Sequence, residues 1–189
     1  MLIYMVRHGE SEANAKKIHA GWAPVPLTEK GKSDAQKAGE TLKKFSFDKV
    51  YSSDLLRSVQ TSEIALPEKE ATLTANLREI SVGEISGKSA EECVKIYGDE
   101  YIKNKANKNF RFCGGECHEM HLERVRNFFK TVCDEGNEKV LAFCHEWTIH
   151  CMIELTVNKN PHNTEIRNGG VYEFEYTEGN LMFRGEVTA

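Results

Sequence analysis

The chain has 189 residues, 40% of them hydrophobic, with 25 Lys and Arg against 29 Asp and Glu, a formal net charge of −4. That length suits one domain with a sizeable core, and the mild acidity speaks against a nucleic-acid partner, because phosphate backbones are bound by clustered positive charge. The longest apolar runs are only five or six residues, too short to span a bilayer.

Leu2 to Val6 is an apolar run that meets a His-Gly turn at once, the pattern of a buried strand feeding a functional loop. It has no basic leader or long apolar region, so it reads as a strand and not as an export signal. Pro24 and Pro26 mark an extended loop, and Thr28 is placed to cap a helix whose apolar positions Ala35, Ala38, Leu42 and Phe45 recur at helical spacing, with its end near Phe45. Lys49 to Ser52 reads as a second strand, Asp54 as an N-cap and Leu55 to Ala65 as a second helix. Residues 71–85 are expected to be short strand and loop, and 89–110 irregular and helical with a break at Gly98. Glu116 to Cys133 carries the spacing of a long amphipathic helix, Lys139 to Cys144 is a buried strand, Trp147 to Leu155 a helix, and Gly170 to Val187 a hairpin turning at Glu178-Gly179-Asn180. The alternation predicts an α/β fold: a three-layer α/β/α domain over 1–189 with a mainly parallel sheet, a small helical cap at about 85–115 and a C-terminal hairpin.

The six cysteines are expected to be reduced thiols in a cytoplasmic chain, which is too large to need disulfide staples. Cys113, Cys117, His118 and His121 crowd one segment and Cys144, His145 and His150 another, but neither spacing matches a zinc finger, and His145-Glu146 with His150 misses the His-Glu-x-x-His pattern by one residue. No metal is therefore expected. Lys103, Lys105, Lys108 and Arg111 read first as a solvated helix surface, and second as a patch that steers an anionic group.

The chemistry concentrates at the expected ends of strands, where open α/β sheets bind ligands. His8 follows the first strand, and a neutral imidazole is a competent nucleophile near neutral pH; attack on a phosphoryl group would give a phosphohistidine. Arg7 offers its fork to non-bridging oxygens, and Gly9 lets the backbone pass close to a bound anion. Arg57 opens a helix after the second strand, and a metal-free phosphoryl site needs such cationic donors. His145 repeats the position of His8 after the third long strand. Glu79 lies in a locally apolar stretch that can raise its proton affinity. Taken singly, His8 also fits a structural hydrogen-bonding role and Arg57 a solvated helix position.

As an ordered set these segments resemble the histidine phosphatase superfamily, also called phosphoglycerate mutase-like. The resemblance rests on Arg7-His8-Gly9-Glu10 with Asn14, on Pro26 to Gly31, on Val50 to Arg57 with Gln60-Thr61, on Leu77 to Ile80, on Gly114-Gly115-Glu116, on His145 and on Asn168. It implies that His8 is phosphorylated, that Arg7, Arg57 and His145 bind the phosphoryl group, that Glu79 is the proton donor and that Asn14 lines the pocket. The pattern is broken where Glu146 replaces the usual Gly after the second histidine, where Pro24 stands for an acidic residue, and where His150 stands for an arginine. Gly21-Trp22 resembles the mutase branch, whereas the 65 residues between Glu79 and His145 are short for a mutase. The expected activity is hydrolysis of a small anionic phosphorylated metabolite without cofactor, with a phosphoglycerate mutase or a weakened phosphate-ligand sensor as alternatives. An exposed strand of the hairpin offers a route to a homodimer.

Overall fold

The computed structural model describes residues 1–158 and 164–188. Strands β1 (Leu2–Arg7), β2 (Lys49–Ser52), β3 (Thr72–Leu73) and β4 (Lys139–Cys144) run parallel, and β5 (Val171–Thr177) and β6 (Asn180–Glu186) add an antiparallel hairpin. The sheet order is β3-β2-β4-β1-β5-β6. The hairpin turns at Glu178-Gly179 with φ of +51° and +80°, the double left-handed conformation that matches the twist of the flanking strands.

The central strands read as continuous apolar runs because both of their faces are covered. Ile3 and Met5 of β1 pack against Val125, Phe128 and Val132 of helix α6 (His118–Glu135) and Ile149 and Met152 of α7 (Glu146–Glu154). Tyr4 and Val6 point the other way, onto Ala38 and Leu42 of α2 (Glu29–Leu42) and Ala65 of α3 (Leu56–Ala65). Each buried side chain of this size contributes roughly 1.5–3 kcal/mol, and together they define the three layers. A third cluster, Ile80, Val82, Ile85, Cys93, Tyr101, Phe110 and Cys113, gathers the segment that holds helices α4 (Ala90–Tyr97) and α5 (Asp99–Ala106), which meet at Gly98.

Thr28 caps α2 as expected, its Oγ1 accepting from the Gly31 N–H at 3.0 Å. Two local expectations are corrected and one element is new. Helix α2 ends at Leu42, and Phe45 beyond it packs on Tyr4 with ring centroids 4.7 Å apart. Helix α3 is capped by Leu55 without a side-chain bond, while Asp54 accepts from Arg78 Nε at 2.7 Å. A short helix α1 (Glu12–Lys16), held by a Ser11/Asn14 capping box, was not foreseen. At the hairpin, the outer edge of β6 is occupied by the segment after α7: Leu181 accepts from the Val157 N–H at 2.9 Å, and Asn158 pairs with both backbone groups of Phe183. A second copy adding a strand there would have to begin beyond Phe183.

The loop after β1 is locked onto the start of α2. A Cβ on Gly31 would sit 1.9 Å from the Glu10 carbonyl oxygen, and one on Gly9 would sit 2.1 Å from the Gly31 oxygen. Backbone meets backbone, so neither neighbour can yield cheaply. Gly31→Ala is expected to lower stability by about 2 kcal/mol or more, read as a shift of the urea midpoint; an unchanged midpoint would contradict this contact.

Candidate active site

Parallel pairing of β1, β4 and β2 brings three chain segments to one sheet edge. His8 donates its backbone N–H to Cys144 at 3.0 Å and Ser53 donates to Phe143 at 2.9 Å, so His8, Ser53 and His145 each stand one residue beyond a strand. The site is the strand-end crevice in which α/β sheets hold ligands.

The His8 ring is almost fully buried, and Nδ1 lies 2.7 Å from the Gly9 carbonyl, which can only accept; the proton is therefore on Nδ1. Arg57 Nε donates to Nε2 at 3.2 Å, which identifies Nε2 as the unprotonated nitrogen. Burial, with Arg57 and Arg7 nearby, holds the His8 pKa well below 6.5, so the imidazole is neutral. Arg57 is itself buried, and its Nη2 donates to the Gly21 carbonyl at 2.9 Å. Its burial lowers the guanidinium pKa to about 10, still charged at neutral pH.

Arg7 Nη1 donates to the Ile166 carbonyl at 2.6 Å and Nη2 pairs with Glu146 Oε2 at 2.9 Å, while its Nε is buried without a hydrogen-bond partner among the described residues. Glu79 accepts from the Ile80 N–H at 3.0 Å and the Trp147 N–H at 3.3 Å. Burial nevertheless raises its pKa, only partly opposed by these bonds and by Arg57, and Glu146 adds to the rise. The Glu79 peptide is clamped as well: its carbonyl accepts from the Trp22 indole at 2.7 Å and from Arg124 Nη2 at 3.3 Å, and Arg124 is anchored on Glu116.

A cleft of about 290 Å³ opens here, with Arg7, His8, Asn14, Arg57, Glu79 and Glu146 in its wall. The Asn14 amide oxygen is taken up by Ser11, which leaves the amide N–H groups as the part of that side chain available to a ligand. His145 is fully buried beside His8, ring centroids 5.1 Å apart, and does not line the cleft. Ser53 Oγ, which accepts from the Leu55 N–H, lies 2.8 Å from His145 Nε2. If the serine proton goes to Nε2, the imidazole proton sits on Nδ1, which is buried with no partner among the described residues.

Residues 3–185 match the histidine phosphatase superfamily (branch 1). The chain belongs to that superfamily. It is 30% identical over 173 residues to 2,3-bisphosphoglycerate-dependent phosphoglycerate mutase 2 of Gloeobacter violaceus, covering 87% of this chain and 79% of that one. To phosphoglycerate mutase 1 of Saccharomyces cerevisiae it is 38% identical over 105 residues, 52% of this chain and 42% of that one. Against this and several bacterial mutases the match spans about half of their length. Among solved structures, a putative alpha-ribazole-5'-P phosphatase of Escherichia coli superposes with a TM-score of 0.89 at 20% identity, over 100% of this chain and 96% of that one. A phosphoserine phosphatase of Entamoeba histolytica superposes at 0.82 and 22% identity, over 99% and 96%. At these identities the superpositions establish the shared fold.

Of the residues singled out in the sequence, the structure brings Arg7, His8, Asn14, Arg57 and Glu79 together in the cleft wall. His145 stands behind it. Gly9 is required by a further contact, since a side chain there would meet the Gly31 backbone. The candidate metal clusters do not converge: Cys113 donates to Val82 and Phe110, His118 pairs with Glu154 and His121 with Thr148. Among the described residues no three His, Cys, Asp or Glu side chains form a metal-holding group, no cysteine is in a disulfide, and no helix is long and apolar enough to cross a membrane. Of the basic run, Lys105 lies over Tyr101 and Lys108 over Trp147, and neither lines the cleft. Sequence reasoning missed Ser53, although it holds the same position after a strand as both histidines, and it missed the clamp of Trp22 and Arg124.

His8, His145 and His121 all have depressed pKa values through burial, His121 to about 3. The unfolded chain takes up protons near pH 6.5 that these folded rings refuse, so their contribution is complete above that pH and is lost as pH falls below it. The urea midpoint is expected to be lower at pH 5.5 than at pH 7.5; a midpoint that rises on acidification would contradict neutral buried histidines.

Proposed function

We propose that this chain hydrolyses phosphomonoesters through a phosphohistidine at His8. The observation that carries the reading is the tautomer of His8: Nδ1 is tied to the Gly9 carbonyl, and the unprotonated Nε2 faces Arg57 in the cleft with Arg7 and Glu79. In the first step Nε2 attacks phosphorus, the bond to the leaving oxygen breaks, and Glu79 gives its proton to that oxygen. The ring becomes cationic as the bond to phosphorus forms, and the Gly9 carbonyl on Nδ1–H stabilises that charge. In the second step the Glu79 carboxylate takes a proton from water, the water oxygen attacks phosphorus, and the bond to Nε2 breaks to release inorganic phosphate. Arg7 and Arg57 are assigned to the phosphoryl oxygens, His145, buried beside the His8 ring, to supporting that group from behind the cleft wall, and Asn14 to the mouth of the site. Residues 85–115 are assigned as a cap, supported by their separate apolar cluster.

Hydrolysis is favoured over transfer because the cleft is open: Asn14 is exposed and the Glu146 side chain is 38% exposed, so water has a path to the phosphoenzyme. A phosphoglycerate mutase activity is the second reading, motivated by the named relatives. The deciding assay compares release of inorganic phosphate from a panel of phosphometabolites with interconversion of 3- and 2-phosphoglycerate in the presence of 2,3-bisphosphoglycerate. Phosphate release that needs no bisphosphate supports the phosphatase; isomerisation faster than phosphate release overturns it.

A further inference from the structure

Glu146 stands where the superfamily pattern has glycine, and it puts a carboxylate into the cleft wall. It is the first residue of α7, its side chain is in the cleft wall, and its Oε2 occupies Arg7 Nη2 at 2.9 Å. A phosphoryl group that approaches Arg7 therefore meets an anion already seated on one of its two amino groups, while the other is committed to the Ile166 carbonyl. The following residue, Trp147, donates its N–H to Glu79, so the Glu146 carboxylate and the proton donor belong to one side of the cleft. That is the side on which the leaving group of an ester must lie. A leaving group with a carboxylate is repelled there. One with an ammonium exchanges both partners of the existing ion pair: its phosphate takes Arg7 and its ammonium takes Glu146.

Resting on the phosphomonoesterase reading, we propose that Glu146 is a specificity-determining residue that selects phosphomonoesters of amino alcohols over those of hydroxy acids. The test reads binding without turnover. His8→Ala protein is titrated calorimetrically with O-phosphoethanolamine and with phosphoglycolate, two-carbon esters with opposite charge at the far end. The expected result is at least about tenfold tighter binding of O-phosphoethanolamine, with the preference reduced to about twofold or less when Glu146→Gln is added, mainly through a gain for phosphoglycolate. Equal affinities in the His8→Ala protein, a preference that survives Glu146→Gln, or no binding of either ester overturns the proposal. Turnover plays no part in this measurement, so a failure of hydrolysis in the wild-type protein bears on the phosphatase reading and leaves the charge preference to be judged by binding.

Discussion

Replacing His8 by alanine is expected to lower kcat on any phosphomonoester by at least about 10³-fold, the scale of losing a covalent nucleophile. The His8 ring lies in the cleft wall with its proton on Nδ1, held by the Gly9 carbonyl, and with an unprotonated Nε2 that receives only a long bond from Arg57. His145 is no substitute, because it is fully buried and absent from the wall. The variant should fold, since the loop around residue 8 is held by the Cys144 carbonyl and by packing of Gly9 on Gly31. The check is steady-state hydrolysis of p-nitrophenyl phosphate with circular dichroism as a folding control. Turnover within tenfold of wild type in a folded variant would remove His8 from the reaction.

The second large effect belongs to Glu79→Gln, and it depends on the leaving group. An alkyl alkoxide is a poor leaving group and needs the proton, so kcat on an alkyl phosphate is expected to fall about 10²–10⁴-fold, whereas p-nitrophenolate leaves largely unaided and suffers less in the first step. The same variant changes the pH profile. His8 must be neutral, and its pKa is depressed, so the acid limb lies below 6.5; Glu79 must be protonated, and its pKa is raised by burial, so the basic limb lies above 4.5. Activity therefore falls as pH rises through the Glu79 limb, and in Glu79→Gln that limb disappears. Equal losses on alkyl and p-nitrophenyl esters, with the basic limb retained, would contradict Glu79 as the proton donor.

Much of this site was readable because its parts lie at strand ends, and a short apolar run closed by a chemically active residue is a local pattern. His8 and His145 were placed this way, and the hairpin turn was placed by its own local residues, Glu178-Gly179-Asn180. What escaped depends on contacts across the chain. Asp54 looks like a cap from its neighbours, yet Arg78 is the stronger partner, and no local pattern can weigh the two. Helix α1 has five residues, too few for a hydrophobic period to show. The packing of Gly9 on Gly31 joins residues 22 positions apart, which no local pattern shows. Glu146 was marked as a break in the pattern, but its engagement with Arg7 becomes visible only once β1 and β4 lie side by side.

The central claim is a phosphoryl group on His8 Nε2. Wild-type protein mixed with excess phosphomonoester and quenched in alkaline denaturant within the first turnover should yield, by mass spectrometry of its peptides, one phosphorylated peptide modified at His8, the modification surviving base and lost in acid. Absence of that adduct while substrate is being turned over, or a phosphoryl group found on another side chain, would contradict the account.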